Sequence, residues 1–213
     1  MLLDMVAEME KRMEDSVLSI AQLAEELGKT EELITLPNGR AVPSIKWRGE
    51  DLPAIARTLH NRVFESNHIR LDGPMPVWLA TALVHELHPR AVSINSPNGF
   101  IPVGCGRPTG EGLVGDLEFQ VTDGPDGWTV ITIQQRDPSV PLDPDDLGTW
   151  APPMVPMGTK VILSGRMPLW AMASFAMAYH GTAKAVAVFQ PGTGATVAWT
   201  HSTEVKLGEV IKM

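Results

Sequence analysis

Cysteine and surplus positive charge are scarce in this sequence, and each shortage closes off a class of protein. There is one cysteine, Cys105, which cannot form an internal disulfide, so a stapled extracellular scaffold is excluded. Lysine and arginine number 17 against 25 acidic residues, for a net charge of -8. A protein that coats long nucleic acid needs a basic face to displace counterions, so that role is excluded too. No apolar run reaches the roughly 18 residues of a membrane span. The opening "MLLDMVAEMEKRMEDS" mixes acidic and basic residues with apolar ones, unlike a secretory leader. The expectation is a soluble, cytoplasmic chain that engages neither membrane nor long nucleic acid.

Apolar residues are plentiful, at 44% of 213. That is enough for a packed core, and the length suits one large domain or two small ones. The sequence also contains one phrase twice. "DGPMPVWLATALVHELHPRAVSINSPN" (72–98) and "SGRMPLWAMASFAMAYHGTAKAVAVFQPG" (164–192) align at an offset of 92, from Gly73 to Gly165. Met75/Met167, Pro76/Pro168, Trp78/Trp170 and His88/His180 keep that register. Two further residues in the second copy then bring Ala91–Pro97 onto Ala185–Pro191. The spacing is far longer than a solenoid repeat, and predicts a duplicated domain.

Each copy reads as strand, tight glycine turn, helix, strand. "HIRL" and "KVIL" are apolar runs broken by Asp72-Gly73 and Ser164-Gly165. Pro76 and Pro168 then sit where a first helical turn tolerates proline. "VWLATALVHEL" and "LWAMASFAMAYH" are rich in good helix formers, and "AVSI" and "AVAVF" close each unit as strands. Such a crossover places its two strands in parallel, with the turn at a helix N-terminus where backbone N–H groups can receive an anion. Residues 117–135 predict a hairpin about Gly124–Gly127, and "TLPNGRAVPSIKW" its counterpart in the first half. Residues 2–27, ending at Gly28, predict an amphipathic helix with no counterpart, and 137–159 an ordered proline-rich loop. The expected fold is α/β with α+β features at its margins. It has two tandem lobes, 1–112 including the N-terminal helix and 113–213, joined through the glycine-rich stretch 104–112.

The order "LEFQVTDGPDGWTVITI", "VILSGRMPLWAMASFAMAYHGTAKAVAVFQPGTGATVAWTHS" and "LGEVIKM" over 117–213 resembles the small CRISPR-associated ring nuclease family numbered three, found with type III CRISPR systems. Its most specific parts are "SGRMPLW", "AYH" and "THS". The first half matches through "DGPMPVW", its helix and His88. The resemblance implies binding and linearisation of cyclic tetra-adenylate by paired subunits, which a tandem chain supplies as a pseudo-dimer or extends as a homodimer. It also implies a histidine at the helix end, matched by His180 and in the first half by His88, and another matched by His201. The family aspartate is replaced by Gln190 and, in the first half, Ser96. Manganese, a hard cation that favours carboxylate, is implied by the family but loses that ligand here. No cofactor is therefore expected to be required, and Gln190 and Ser96 remain hydrogen-bonding groups toward a ligand.

Two readings stay open at most sites. Ser164, Gly165, Arg166 and Met167, with Asp72 and Gly73 in the first copy, form either a phosphate-binding turn or a plain tight turn with a solvated arginine. His180, His88 and His201 act as acid or base, or the helix-end pair merely complements a helix dipole. Trp78 and Trp170 read as core. His60, His68 and His85 read as surface or structural, and Asp143, Asp145 and Asp146 lack the spacing of a calcium loop, so no metal site is expected there. Three functions follow: ring opening by the ribose 2′-hydroxyl, a non-catalytic sponge or sensor of the same messenger, or a pseudo-enzyme acting through a protein partner.

Overall fold

In a computed structural model, residues 16–35, 39, 41–104, 106–109 and 113–213 are described. The expected helix over residues 2–15, Cys105 and the boundary at 110–112 lie outside them. The elements in chain order are β1 (Ser16–Ser19), α1 (Ile20–Glu26), β2 (Glu31–Thr35), β3 (Ala41–Ile45), α2 (Leu52–His60), β4 (His68–Asp72), α3 (Val77–Leu87), β5 (Ala91–Ser96) and β6 (Gly99–Pro102). The chain continues through β7 (Leu113–Val114), β8 (Leu117–Asp123), β9 (Trp128–Gln135), β10 (Lys160–Gly165), α4 (Leu169–Ala178), β11 (Ala185–Gln190), β12 (Gly194–Thr200) and β13 (Val210–Ile211). The fold is mixed α/β.

Two sheets carry the architecture. The first has the order β1-β4-β5-β6 and the second β13-β12-β11-β10-β9-β8-β7. Within the first, β1, β4 and β5 are parallel and β6 is antiparallel; within the second, β9, β10 and β11 are parallel and β12 is antiparallel. The four strands of the first sheet thus have the same order and directions as β9 to β12. The crossover helices α3 and α4 occupy the same place in each.

The helices explain how the sheets meet. Neither α3 nor α4 has a polar face: Trp78 through Val84 and Leu87 are buried in one, and Trp170 through Ala176 in the other. A helix that is apolar on every side must be enclosed. Accordingly α3 packs on α4 and also against β11 and β12 of the second sheet, while α4 reaches β5 of the first. Trp78 and Trp170 belong to this core, and Trp170 stacks on Trp150 at 5.6 Å. Trp150 follows a 3-10 turn in the proline-rich loop, which is therefore pinned to the core.

Two expectations fail. Residues 16–19 do not belong to an N-terminal helix; they form β1, the edge strand beside β4, with Leu18 fully buried. The helix begins only after Ser19, whose Oγ accepts from the Gln22 N–H, and ends before Gly28 at φ +68. The hairpin β2/β3 forms, but as a separate two-stranded sheet rather than as the counterpart of β8/β9. Strand β1 takes the position that β9 holds in the other sheet.

The paired glycines follow from close approach. A Cβ on Gly165 would lie 2.4 Å from the Ile133 carbonyl oxygen, and one on Gly73 would lie 3.1 Å from Ile20 Cβ. Each turn presses on the neighbouring parallel strand or on the helix that follows it. Gly165→Ala is expected to cost about 1–3 kcal/mol of stability through overpacking. The corresponding drop in Tm is about 2–4 °C per kcal/mol. An unchanged melting curve would contradict the contact.

Candidate functional site

The strand ends and the helix starts lie together at one end of the molecule. Pro74, Met75 and Pro76, ahead of α3, line a cleft of 580 Å³ with Gln190, the last residue of β11. Pro168 and Leu169, at the start of α4, line one of 480 Å³ with Ser96, the last residue of β5. These clefts are related as the repeat is, since Pro76 aligns with Pro168 and Ser96 with Gln190. Each cleft joins one half of the chain to the other.

The expected ligand-binding residues gather at this end. Ser164, Gly165, Arg166 and Met167 form the turn into α4, and Arg166 is exposed, without an ion pair among the described residues. In the first copy, Asp72 accepts a hydrogen bond from Asn95 Nδ2 at 2.6 Å beside Gly73. The Ser96 hydroxyl is engaged in its own turn, donating to the Gly99 carbonyl and accepting from the Asn98 N–H. Gln190 Oε1 is buried without a hydrogen-bond partner.

The histidines lie at the other end. Residues 169–178 of α4 separate Arg166 from His180, and ten helical residues span about 15 Å. One phosphate therefore cannot touch Arg166 and His180 of the same chain. There, α3 and α4 end side by side, and β12 delivers His201 one residue past its last position. His88 and His180, the aligned pair, have ring centroids 4.7 Å apart. His85 is 5.3 Å from His180 and 5.2 Å from His201, and His180 is 5.2 Å from His201. Trp199 of β12 floors the group, stacked on His85 at 5.1 Å and 8°. Three expected residues, His88, His180 and His201, thus converge with a fourth, His85, that the sequence reading set aside as structural. The signal in the sequence was slight: His85 lies in the last turn of α3, and His88 caps that helix one residue past Leu87. His60 is exposed, His68 Nε2 lies 2.7 Å from Ser93 Oγ, and Asp143 caps a 3-10 turn by accepting from the Asp145 N–H.

One ligand atom from each of His85, His180 and His201 lies within 4.8 Å of the others. Glu86 approaches His85 Nδ1 at 3.4 Å, whereas His85 Nε2 is buried and makes no hydrogen bond. Among the described residues the group of ligand atoms holds three imidazoles and no carboxylate oxygen, Glu86 touching only the outer nitrogen of His85, and Gln190 and Ser96 stand at the far end of the helices. The hard oxygen set that manganese favours is missing, so the manganese implied by the family resemblance does not fit these residues.

Burial, and then the charges of His85, His88 and His201, hold the His180 imidazole below its ordinary value of 6.5. Burial and then His85 lower His201, against an opposing pull from Glu86. Both rings are thereby kept neutral near pH 7. The unfolded chain takes up protons as the pH falls through about 6.5 while these rings resist, so stability is untouched above that pH and lost below it. In chelator-treated protein, the fall in Tm from about pH 7.5 to about 5.5 should be smaller in His180→Gln than in the parent. An equal fall would contradict the crowding of charge.

Comparison with known proteins bears on the second half. The profile of the family described as "CRISPR-associated protein (Cas_csx3)" matches residues 135–212, a span that holds the Gly165 turn, α4, His180, Gln190 and His201. A protein of Aquifex aeolicus (strain VF5), described as uncharacterized, is 40% identical over 76 residues, which cover 33% of this chain and 68% of the relative. His85 and His88 lie outside the profile match, so the histidine group combines matched and unmatched parts of the chain. With its signature turn, helix and both second-half histidines inside the match, the chain belongs to the Cas_csx3 family of CRISPR-associated proteins.

Proposed function

We propose that this chain binds a cyclic oligoadenylate, cyclic tetra-adenylate by preference, and linearises it. In this reading the two halves act as a covalent pseudo-dimer. The observation that carries it is the convergence of His85, His88, His180 and His201, from both halves, into one group with His180 and His201 held neutral. In the metal-free protein a neutral imidazole accepts the proton of a ribose 2′-hydroxyl as that oxygen attacks its adjacent phosphorus. The P–O5′ bond breaks, and the imidazolium formed at the base passes that same proton, directly or through a neighbouring imidazole, to the leaving oxygen. The products are a 2′,3′-cyclic phosphate and a free 5′-hydroxyl. His180, the most crowded ring of the set, is assigned as base, with His201 and His88 as its proton partners.

The aligned clefts support a ring-binding role for the opposite face, where Arg166 and the Gly73 and Gly165 turns lie. A symmetric ligand finds there two related sets of groups, Ser96 with Pro168 and Gln190 with Pro76. The distance between that face and the histidines favours a second reading, a non-catalytic sponge or sensor whose binding face works without the imidazoles. Where the ring sits on the turns, the charge-assisted contact of Arg166 contributes to its affinity.

Incubation of labelled cyclic tetra-adenylate with the protein in EDTA separates the readings. Linear product is expected, and His180→Ala should lower its rate by about 100-fold or more while leaving binding nearly unchanged. Arg166→Ala should weaken binding by about ten- to a hundredfold. Tight binding with no product over many hours identifies the sponge. A fully active His180→Ala protein would remove the assigned base.

A further inference from the structure

We propose that Arg107, from the linker between the two halves, and the cleft it shares with His180 form a nucleotide subsite, in which methionine side chains seat an adenine base and the Arg107 guanidinium holds its phosphate. The subsite deepens the cyclic-oligoadenylate reading and rests on it for its place in the reaction. The cleft has a volume of 760 Å³, and its lining includes Arg107, Met154, Met157, Met177, His180 and Thr182. That size suits a small ligand, whose sites run from about 300 to 1,000 Å³.

The walls of the cleft are anchored. On either side of Arg107 the linker is tied down: the Gly104 N–H donates to Ser174 Oγ of α4 at 3.0 Å, and the Thr109 N–H donates to the Pro152 carbonyl at 3.2 Å. The proline-rich loop is in turn tied to the end of α4. There the Tyr179 hydroxyl donates to the Pro153 carbonyl at 2.7 Å, and the Gly158 N–H donates to the Thr182 carbonyl at 2.8 Å. Both ends of the segment 154–157 are thereby fixed beside His180, and its methionines stand in solvent, Met154 at 62% and Met157 at 82% exposed. Thioethers held out over a cleft suit adaptable contact with an aromatic ring.

Charge selects the other end of the ligand. The lining holds no aspartate or glutamate, and Arg107 is exposed, without an ion pair among the described residues. In a chain of net charge -8, a cleft with a cation and no carboxylate favours an anion. The planar guanidinium matches two phosphate oxygens at once, and a donor fixed there gains strength as attack on phosphorus builds charge on them. Arg166 cannot supply this contact to the same phosphate, because the length of α4, about 15 Å, separates it from His180. Arg107 lies outside residues 135–212, so the contact belongs to the linker of this two-halved chain and not to the matched segment.

The test is a titration of chelator-treated full chain, labelled with carbon-13 at the methionine methyls and the histidine rings, with adenosine 2′,3′-cyclic monophosphate. The Met154, Met157 and Met177 methyl signals and the His180 ring signals should shift together along one saturating curve. Arg107→Ala, at an exposed position, should keep the parent melting curve and weaken this binding about ten- to a hundredfold. Met157→Ala should weaken it about two- to tenfold. Absence of shifts at these methyls, or parent-like binding in Arg107→Ala, would overturn the subsite, and parent-like binding in Met157→Ala would overturn the methionine seat. Joint, Arg107-dependent shifts without any linear product from cyclic tetra-adenylate would uphold the subsite and remove the cleavage reading. Linear product formed at the parent rate by Arg107→Ala would leave that reading standing and overturn the role of Arg107.

Discussion

Helices α3 and α4 have no side to offer to water. Trp78, Leu79, Leu83 and Leu87 on one, and Trp170, Met172 and Phe175 on the other, are all buried. Strand-helix-strand units ordinarily leave the outer face of the crossover helix in solvent, which is why such helices are usually amphipathic. Here each helix must find cover on a second side, and each finds it on the other copy of the unit. Burying an aromatic or aliphatic side chain is worth about 1.5–3 kcal/mol, whereas a surface ion pair contributes about 0–1 kcal/mol, so apolar cover outweighs charge in holding the two halves together.

The chemistry follows from that packing. Because α3 and α4 lie side by side and start at the same end of the molecule, their C-termini meet, and His88 and His180 face each other there. The C-terminal ends of α3 and α4 together with β12 then bring His85 and His201 into the same group. At the opposite end the same geometry yields two related clefts between glycine turns and strand ends. The molecule thus has a face of turns and a face of imidazoles, about one helix length apart. Crowding explains the electrostatics: each charged ring would raise the cost of charging the next, and the Glu86 carboxylate only partly offsets this at His201.

Much of this was legible in the sequence. Both strand-helix-strand units were predicted, with α3 over the residues of "VWLATALVHEL", because an apolar run bounded by Asp-Gly or Ser-Gly and a following proline leaves few alternatives. The hairpin over 117–135 was also readable, and the internal alignment marked His88 and His180 as equivalent positions, though not that they would meet. Strand β1 was not, because four residues before a helix share its apolar rhythm, and only the cap at Ser19 and the pairing with β4 distinguish them. His85 was missed because it has Met177 as its aligned partner, so the repeat itself argued against it. Its role depends on which face α3 turns toward the second sheet, a tertiary fact that periodicity does not carry when every face is apolar. The separation of Arg166 from His180 follows from helix length and was readable in the sequence as well.

The central claim is that imidazoles from the two halves meet in one group. Proton nuclear Overhauser spectra of histidine-labelled protein test it most directly, because ring protons report contacts of the order of the 5.2 Å that separates these ring centroids. The account predicts cross-peaks from His85 to His180 and to His201, from His88 to His180, and from His85 to the Trp199 indole. Cross-peaks confined to His180 and His201, with His85 and His88 showing none to either, would contradict it.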